Sequence, residues 1–227
     1  MTDTEALTAL TGYDRVIESA IELFAAKGFA GTGIREVAEA AGMVSASLYH
    51  WFDNKEALLL AIMRRGQLRF NDCATTAVEP LKSPEARVAA LVRVHVAVHA
   101  RRKLEAMVVD TEVRALSAAA RADMLPLRDI YEQIWNETLV GGVEAGAFFV
   151  ENPKLARLAL LQMCTGVSTW YRPDGLSLDV ICDEFANLAL GMLSKRPGRR
   201  RTVAQLEGPP VQYYLDLVDE RWALSHS

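Results

Sequence analysis

Apolar residues recur along almost the whole chain at spacings of three and four, and runs of β-branched residues alternating with polar ones are missing. The pattern predicts an all-α protein. Val16, Ile17, Ala20, Leu23 and Phe24 form one stripe of a helix over about Tyr13 to Lys27, with Gly28 as its C-terminal cap. A short helix follows from about Ile34 to Ala41, with Gly33 as N-cap, Glu36 as a capping-box carboxylate and Gly42 at its end. A third runs from about Ser45 to Phe52, and Asp53 or Asn54 caps a long fourth that reaches about Val78.

Downstream, Ser83-Pro84 and Asn152-Pro153 each place a capping side chain before a proline in the first helical position. They start helices over about Pro84 to Ala100 and from Pro153 onward. One or two shorter helices are expected between Arg102 and Ala120, and a strong one from about Ala122 to Glu144, ended by Gly146. The run from Leu155 to Trp170 is nearly all apolar and predicts a helix buried on most sides. After the turn Arg172 to Gly175, Ser177 caps an amphipathic helix with Ile181, Phe185, Leu188 and Met192 on one stripe. These two helices have the look of an interface. Lys195 to Arg201 is a basic linker, and Val211 to Trp222 predicts one further short helix.

Composition adds limits. The chain has 227 residues, 51% of them hydrophobic and 24% charged, with a formal charge of -4, so no global positive field exists to attract nucleic acid. No window approaches the roughly 18 uninterrupted apolar residues of a membrane span, and the acidic amino terminus is unlike a signal peptide, so a cytoplasmic location is expected. Cys73, Cys164 and Cys182 are far apart and read as buried thiols rather than a disulfide or zinc framework. His95 and His99 share a helical face as in some metal pairs, with Glu105 and Asp110 near in sequence, but no third ligand has a recognised spacing. The pair reads as polar residues on a pocket-lining or partly buried face. Phosphate-cradling glycine loops and nucleophile elbows are also missing, so no enzyme and no cofactor are expected. The rival from that class is a helical metal-dependent enzyme or sensor built on the histidine pair.

Two short helices joined by a glycine-containing turn, preceded by a third, have the pattern of a helix-turn-helix. Val44, Ser45, Ala46 and Ser47 are small enough for close approach to a major groove, Tyr49 and His50 can reach phosphate oxygens, and Lys55 stands at the start of the next helix, where charge and free amides can hold a phosphate. Gly28-Phe29, Thr32, Ala41-Gly42, Leu48-Tyr49-His50-Trp51-Phe52 and Lys55 together resemble the DNA-binding segment of the TetR family of bacterial transcriptional regulators. The resemblance covers about residues 13 to 60. It departs from the family's pattern at Gly33, where the N-cap is usually threonine, at Ala46, where glycine is common, and at Trp51.

That resemblance implies a flexible arm over 1–12, a DNA-binding domain over 13–60, a larger helical ligand-binding and dimerisation domain over 61–194, and a linker and extension over 195–227. It implies a homodimer, formed through the helices over about 153–170 and 177–193, on a double-stranded operator that a small-molecule effector releases. Its implied DNA-binding residues are Thr32, Gly33, Val44, Ser45, Ala46, Ser47, Tyr49, His50 and Lys55. Residues 1 to 60 carry nine acidic and four basic side chains, so Arg64, Arg65 and Arg69, with helix amides and hydroxyls, are expected to supply the attraction, at a shallow salt dependence.

Segments around Val108 to Trp135 and Ser168 to Leu193 are similar to the subgroup that responds to acyl-CoA thioesters of fatty-acid or steroid degradation. Such an effector needs a long apolar slot, for which Met107, Trp135, Met163 and Trp170 are expected, and cations for its phosphates, drawn from Arg102, Arg114, Arg121 and Arg172. The runner-up within the class senses multiple drugs or aromatic compounds and has no CoA site.

Overall fold

The computed structural model describes residues 11–194 and 201–223, and no strand occurs among them. The expected N-terminal arm lies largely, and the basic linker nearly wholly, outside the described residues. Of that linker Arg201 is described, 3.9 Å from the Glu85 carboxylate.

Helix α1 (Gly12–Gly31) starts where the Thr11 hydroxyl accepts from the Asp14 amide, at 3.2 Å. It breaks at Gly28, whose φ of 73° and ψ of 161° only glycine adopts freely, and a last turn then reaches Gly31. Helix α2 (Ile34–Ala40) and helix α3 (Ser45–Leu48) are joined through Gly42 at φ 68°. Helix α3 ends earlier than Phe52 because the amides of Trp51 and Phe52 converge on one carbonyl, that of Leu48, at 3.0 and 2.9 Å. That tightened turn closes the ladder while keeping Leu48 and Phe52 one turn apart in the core. Asn54 Oδ1 then accepts from the Ala57 amide at 2.9 Å and opens helix α4 (Lys55–Val78).

Ser83 caps helix α5 (Pro84–Arg101), and Asn152 caps helix α8 (Pro153–Thr165), each accepting from the amide three residues on, at 3.2 and 3.1 Å. Between them lie helix α6 (Lys103–Thr111), a 3-10 turn (Glu112–Ala115) and helix α7 (Ala118–Glu144). Helix α7 begins ahead of the expected Ala122 because Ser117 Oγ accepts from the Ala120 amide, at 3.3 Å, and Pro126 is absorbed within its interior. Helix α9 (Val167–Trp170), helix α10 (Leu178–Leu193) and helix α11 (Val211–Ala223) complete the described chain, with a 3-10 turn (Val203–Gln205) before α11.

The described residues divide into two compact units. The first comprises 11–68, 104–127 and 222–223. Its core unites Ile17 and Phe24 of α1, Val37 of α2, Leu48 of α3 and Ile62 of α4 with Val108, Leu116 and Met124. The second comprises 69–103 and 128–221. Here α5 is the central element, buried at nearly every position from Val88 to Ala100, and α10, α8 and α9 pack on it.

The apolar run after Pro153 is not buried on most sides. Gly166 divides it, and although Leu160 and Cys164 are buried, Leu155 and Leu158 stand exposed on α8 and Trp170 on α9. On α10 the inward stripe is Ile181, Cys182, Ala186, Ala189 and Leu193, while Leu188 and Met192 face outward with Val180. Trp170 reaches Phe185 with ring centroids 6.0 Å apart.

Near the end of α7, the Phe148 ring lies where a Cβ on Gly142 would stand, its Cδ2 2.0 Å from that position. Gly142→Ala is therefore expected to displace the ring and destabilise the fold by about 2 kcal/mol, the usual scale of overpacking. A urea midpoint equal to that of the wild type would show that the ring moves aside without cost.

Candidate DNA-binding and effector sites

Around α3 the exposed side chains are Val44, Ala46, Tyr49 and His50, with Ser45 and Ser47 half-buried. Val44 is 70% and Tyr49 53% exposed. Below this surface Leu48 and Phe52 anchor α3 in the core. Trp51, absent from the expected set, sets its ring edge-on to Tyr13 at 6.3 Å and to His50 at 5.8 Å, so it braces the start of α1 against the end of the α3 turn.

Two of the expected contacts, Thr32 and Lys55, also make hydrogen bonds within the protein. Thr32 is 2% exposed, and its hydroxyl donates to the Gly28 carbonyl at 2.9 Å, so it closes the end of α1. Lys55 turns inward: Nζ donates to the carbonyls of Phe29 and Thr32, both at 2.7 Å, and sits 4.2 Å from the centre of the Phe29 ring. Two of its three N–H groups are thereby committed to the protein. Gly33 is exposed, and its amide meets Glu36 Oε2 at 3.5 Å, the weak remnant of the expected box. Glu36 also pairs with Lys27, and this hydrogen bond holds its carboxyl below the usual carboxylate range.

Among the expected cations Arg65 is similarly occupied. Arg65 donates to Glu18 at 2.9 Å and lies 3.6 Å from Glu105, whose other oxygen accepts from Trp222 Nε1 at 2.6 Å. Arg35 and Arg64 are exposed.

The expected effector residues divide between the units. Met107, half-buried, and Arg114, exposed, belong to the first. Trp135, Met163, Trp170 and Arg172 belong to the second, but only Trp135 is fully buried there. Trp170 is half-exposed, and Arg172 is exposed in a turn, with Nη1 donating to the Tyr171 carbonyl at 3.2 Å. Two other expected phosphate partners are engaged as well: Arg102 lies 3.3 Å from Asp219, and Arg121 donates to the Leu116 carbonyl at 3.0 Å.

What the second unit does bring together is a buried polar cluster. His95 Nδ1 meets the Tyr131 hydroxyl at 2.8 Å and Nε2 meets Thr165 Oγ1 at 3.0 Å, so both ring nitrogens are satisfied by neutral hydroxyls. The His99 ring stacks on that of His95 at 4.1 Å and its Nδ1 donates to the His95 carbonyl at 2.8 Å. Phe70 borders His99 and Tyr131, and Trp135 stands edge-on to His95 at 6.0 Å. Burial, then the neighbouring His99, pushes the His95 pKa well below the ordinary 6.5, so the ring is neutral. A neutral imidazole carries one N–H, so it donates to one hydroxyl and accepts from the other. Both His95 nitrogens and His99 Nδ1 are thus engaged within the protein, and among the described residues no group of three or more His, Cys, Asp or Glu is placed to hold a metal ion. The three thiols are buried and free, and burial raises Cys73 and Cys182 to about 12, which keeps them protonated.

Residues 16–62 match the profile of bacterial regulatory proteins of the tetR family, and 81–193 match that of the Tetracyclin repressor-like C-terminal domain. The chain is 30% identical over 187 residues to the HTH-type transcriptional repressor KstR2 of Rhodococcus jostii, covering 79% of this chain and 89% of that one. The chain belongs to the TetR family. Two solved structures agree: a tetR-family regulatory protein from Rhodococcus RHA1, with TM-score 0.75, 29% identity, and 81% and 97% of the two chains covered, and AibR with isovaleryl coenzyme A and operator DNA, with TM-score 0.72, 28% identity, and 81% and 98% covered. As a TetR-family chain related to the KstR2-like subgroup, it is a ligand-responsive DNA-binding regulator and not an enzyme. No helix among the described residues is long and apolar enough to cross a membrane. Sequence reasoning missed Tyr131 and Thr165. The residues that bring them to His95 lie on three helices, and no spacing within one helix announces the meeting.

Two tests follow from this geometry. Lys55→Met keeps the aliphatic stem and removes two charge-assisted hydrogen bonds, so a loss of about 2 kcal/mol in folding stability is expected. The slope of log affinity for DNA against log salt should stay as in the wild type; a fall of about 0.9 would restore Lys55 as a phosphate contact. For His95 the unfolded chain binds the proton more readily than the folded one. Its contribution is therefore complete above the unfolded value near 6.5 and is lost as pH falls below it, by up to about 1.4 kcal/mol per pH unit. Denaturant midpoints in mild acid should show this decline, and His95→Gln should flatten it; an unchanged slope in that variant would assign the decline to other groups.

Proposed function

We propose that the protein is a repressor that binds a roughly palindromic operator as a homodimer and leaves it when an acyl-CoA thioester binds the larger unit. The observation that carries the DNA-binding half is the α3 surface: Val44, Ala46, Tyr49 and His50 exposed above a core-anchored Leu48 and Phe52. Ser45 and Ser47 add short hydroxyl side chains for base edges or backbone, and Tyr49 and His50 reach for phosphate. Gly33 permits close approach at the start of α2. Lys55 and Thr32 act behind this surface by fixing the joint that presents it.

Dimer formation through 153–170 and 177–193 is supported by the outward apolar side chains of α8, α9 and α10, above all Leu155, Trp170, Leu188 and Met192. A two-fold axis places two α3 surfaces on one duplex, so half-sites about 34 to 36 Å apart, or a multiple of that, are expected. The acyl-CoA reading is supported by the likeness to KstR2 and to AibR, whose structure contains isovaleryl coenzyme A. Release requires a ligand that binds the DNA-free geometry better than the bound one. On this reading residues 13–60 read DNA, 61–194 bind effector and partner, and the remainder is an extension.

The test is a mobility-shift titration against DNA from the upstream region, with and without a panel of acyl-CoA thioesters. Expected are two chains per duplex, loss of the shift in Tyr49→Ala, and release by at least one thioester. A shift that Tyr49→Ala leaves intact would move the DNA surface elsewhere, and a shift that no thioester disturbs would discard the effector class.

A further inference from the structure

Helix α7 buries one face, and along it two hydrogen-bond donors find no acceptor. Trp135 is 0% exposed, and its Nε1–H has no hydrogen-bond partner. Arg128, seven residues earlier on the same face, is half-buried, and its Nη1 is likewise buried and unpartnered. Between them on this face stands Tyr131, held by His95. Asp129, next to Arg128 in the chain, is exposed, and the carboxylate one turn further along α7, Glu132, is occupied by Arg157 at 2.7 Å. A buried donor left unsatisfied is costly and rare, and two on one helix face, a spacing of about 10 Å along the axis, call for a common explanation.

The surroundings set the chemistry that satisfies each. Beside Trp135 is the neutral His95 ring, its own nitrogens engaged by the hydroxyls of Tyr131 and Thr165, so an uncharged oxygen such as a carbonyl suits that end. Arg128 presents a permanent cation with a buried N–H, and the group that compensates such a charge is an anion. We propose that α7 carries a two-point effector subsite, in which Trp135 Nε1–H donates to the thioester carbonyl and Arg128 Nη1 to a carboxylate at the far end of the acyl group. The effector class is then an ω-carboxyacyl thioester of medium length, the acidic end of which a plain fatty acyl group lacks. This inference rests on the thioester-responsive reading above.

The experiment is calorimetric titration of the full chain with suberoyl-CoA, with octanoyl-CoA, which has the same acyl length and no terminal carboxylate, and with free suberic acid. Suberoyl-CoA is expected to bind at least tenfold more tightly than octanoyl-CoA. Arg128→Met should erase that preference, and Trp135→Phe, which keeps a ring and removes the N–H, should weaken both thioesters by about tenfold. Suberic acid should bind more weakly than its thioester. Equal affinity of the two thioesters in the wild type, a preference that survives Arg128→Met, or no binding of either thioester would overturn the subsite. Because Trp135→Phe deletes a donor that lacks a partner, its melting temperature without ligand should match or exceed that of the wild type; a marked fall would show the N–H already satisfied and the premise wrong. Mobility shifts run in parallel separate the two readings. Suberoyl-CoA that binds in the expected pattern without releasing DNA removes the effector role and keeps the subsite, whereas release by octanoyl-CoA that neither variant alters keeps the effector role and removes the subsite.

Discussion

Where α1 breaks at Gly28, the carbonyls at its end lose their helical N–H donors and must accept from donors elsewhere. Thr32 supplies one from its own hydroxyl to the Gly28 carbonyl, and Lys55, from the first turn of α4, reaches those of Phe29 and Thr32. The ammonium also lies over the Phe29 ring, so a single side chain joins the end of α1, the entry to α2 and the start of α4. Because α3 has only one helical turn, it holds its position through its neighbours: Leu48 and Phe52 below it and Trp51 against Tyr13. The orientation of the α3 surface thus depends on a joint made by Lys55 and Thr32 behind it.

The second unit solves a different problem, that of keeping polar groups inside a helical core. His95 is affordable there only as a neutral ring with both nitrogens engaged, and the hydroxyls of Tyr131 and Thr165 meet that condition from α7 and α8. Arg93 follows the same rule with a charge, its guanidinium bonded to Asp183 at 2.6 Å and facing the Tyr214 ring. Central helix α5 therefore makes directional contacts with four of its neighbours, α7, α8, α10 and α11, which fixes their rotation more sharply than apolar burial alone.

Helix order, most caps and the core of the first unit were legible in the sequence because each depends on residues close in the chain. Ser83, Asn152 and Asn54 cap as their positions imply, and the stripe through Ile17 and Phe24 is buried. The end of α3 was less legible, since a ladder that closes on one carbonyl has the same apolar spacing as one that continues. The internal hydrogen bonds of Thr32 and Lys55 were not legible for a related reason: a short motif specifies residue types, and only the fold decides which neighbours a hydroxyl or ammonium meets. The effector residues were the least legible. Aromatic and methionine residues on helices look alike whether they lie in the core, as Trp135 does, or on an outward face, as Trp170 does, and the polar cluster forms only when α4, α5, α7 and α8 meet.

Helix α11 lies beyond residue 193, where the match to the C-terminal family profile ends, yet Tyr214, Leu215, Leu217 and Val218 are buried. Its acidic and basic side chains also pair within the second unit, Asp219 with Arg101 and Arg102, and Arg221 with Asp72. A ribosome delivers this segment after all the helices it covers, at the pace of synthesis and from the N-terminus onward. Until it arrives, the flank of α5 that it covers stays wet and its arginines lack their counter-charges. The second unit therefore completes its folding only once α11 has been made, and a nascent chain that stalls between α10 and α11 presents chaperones with an unfinished surface.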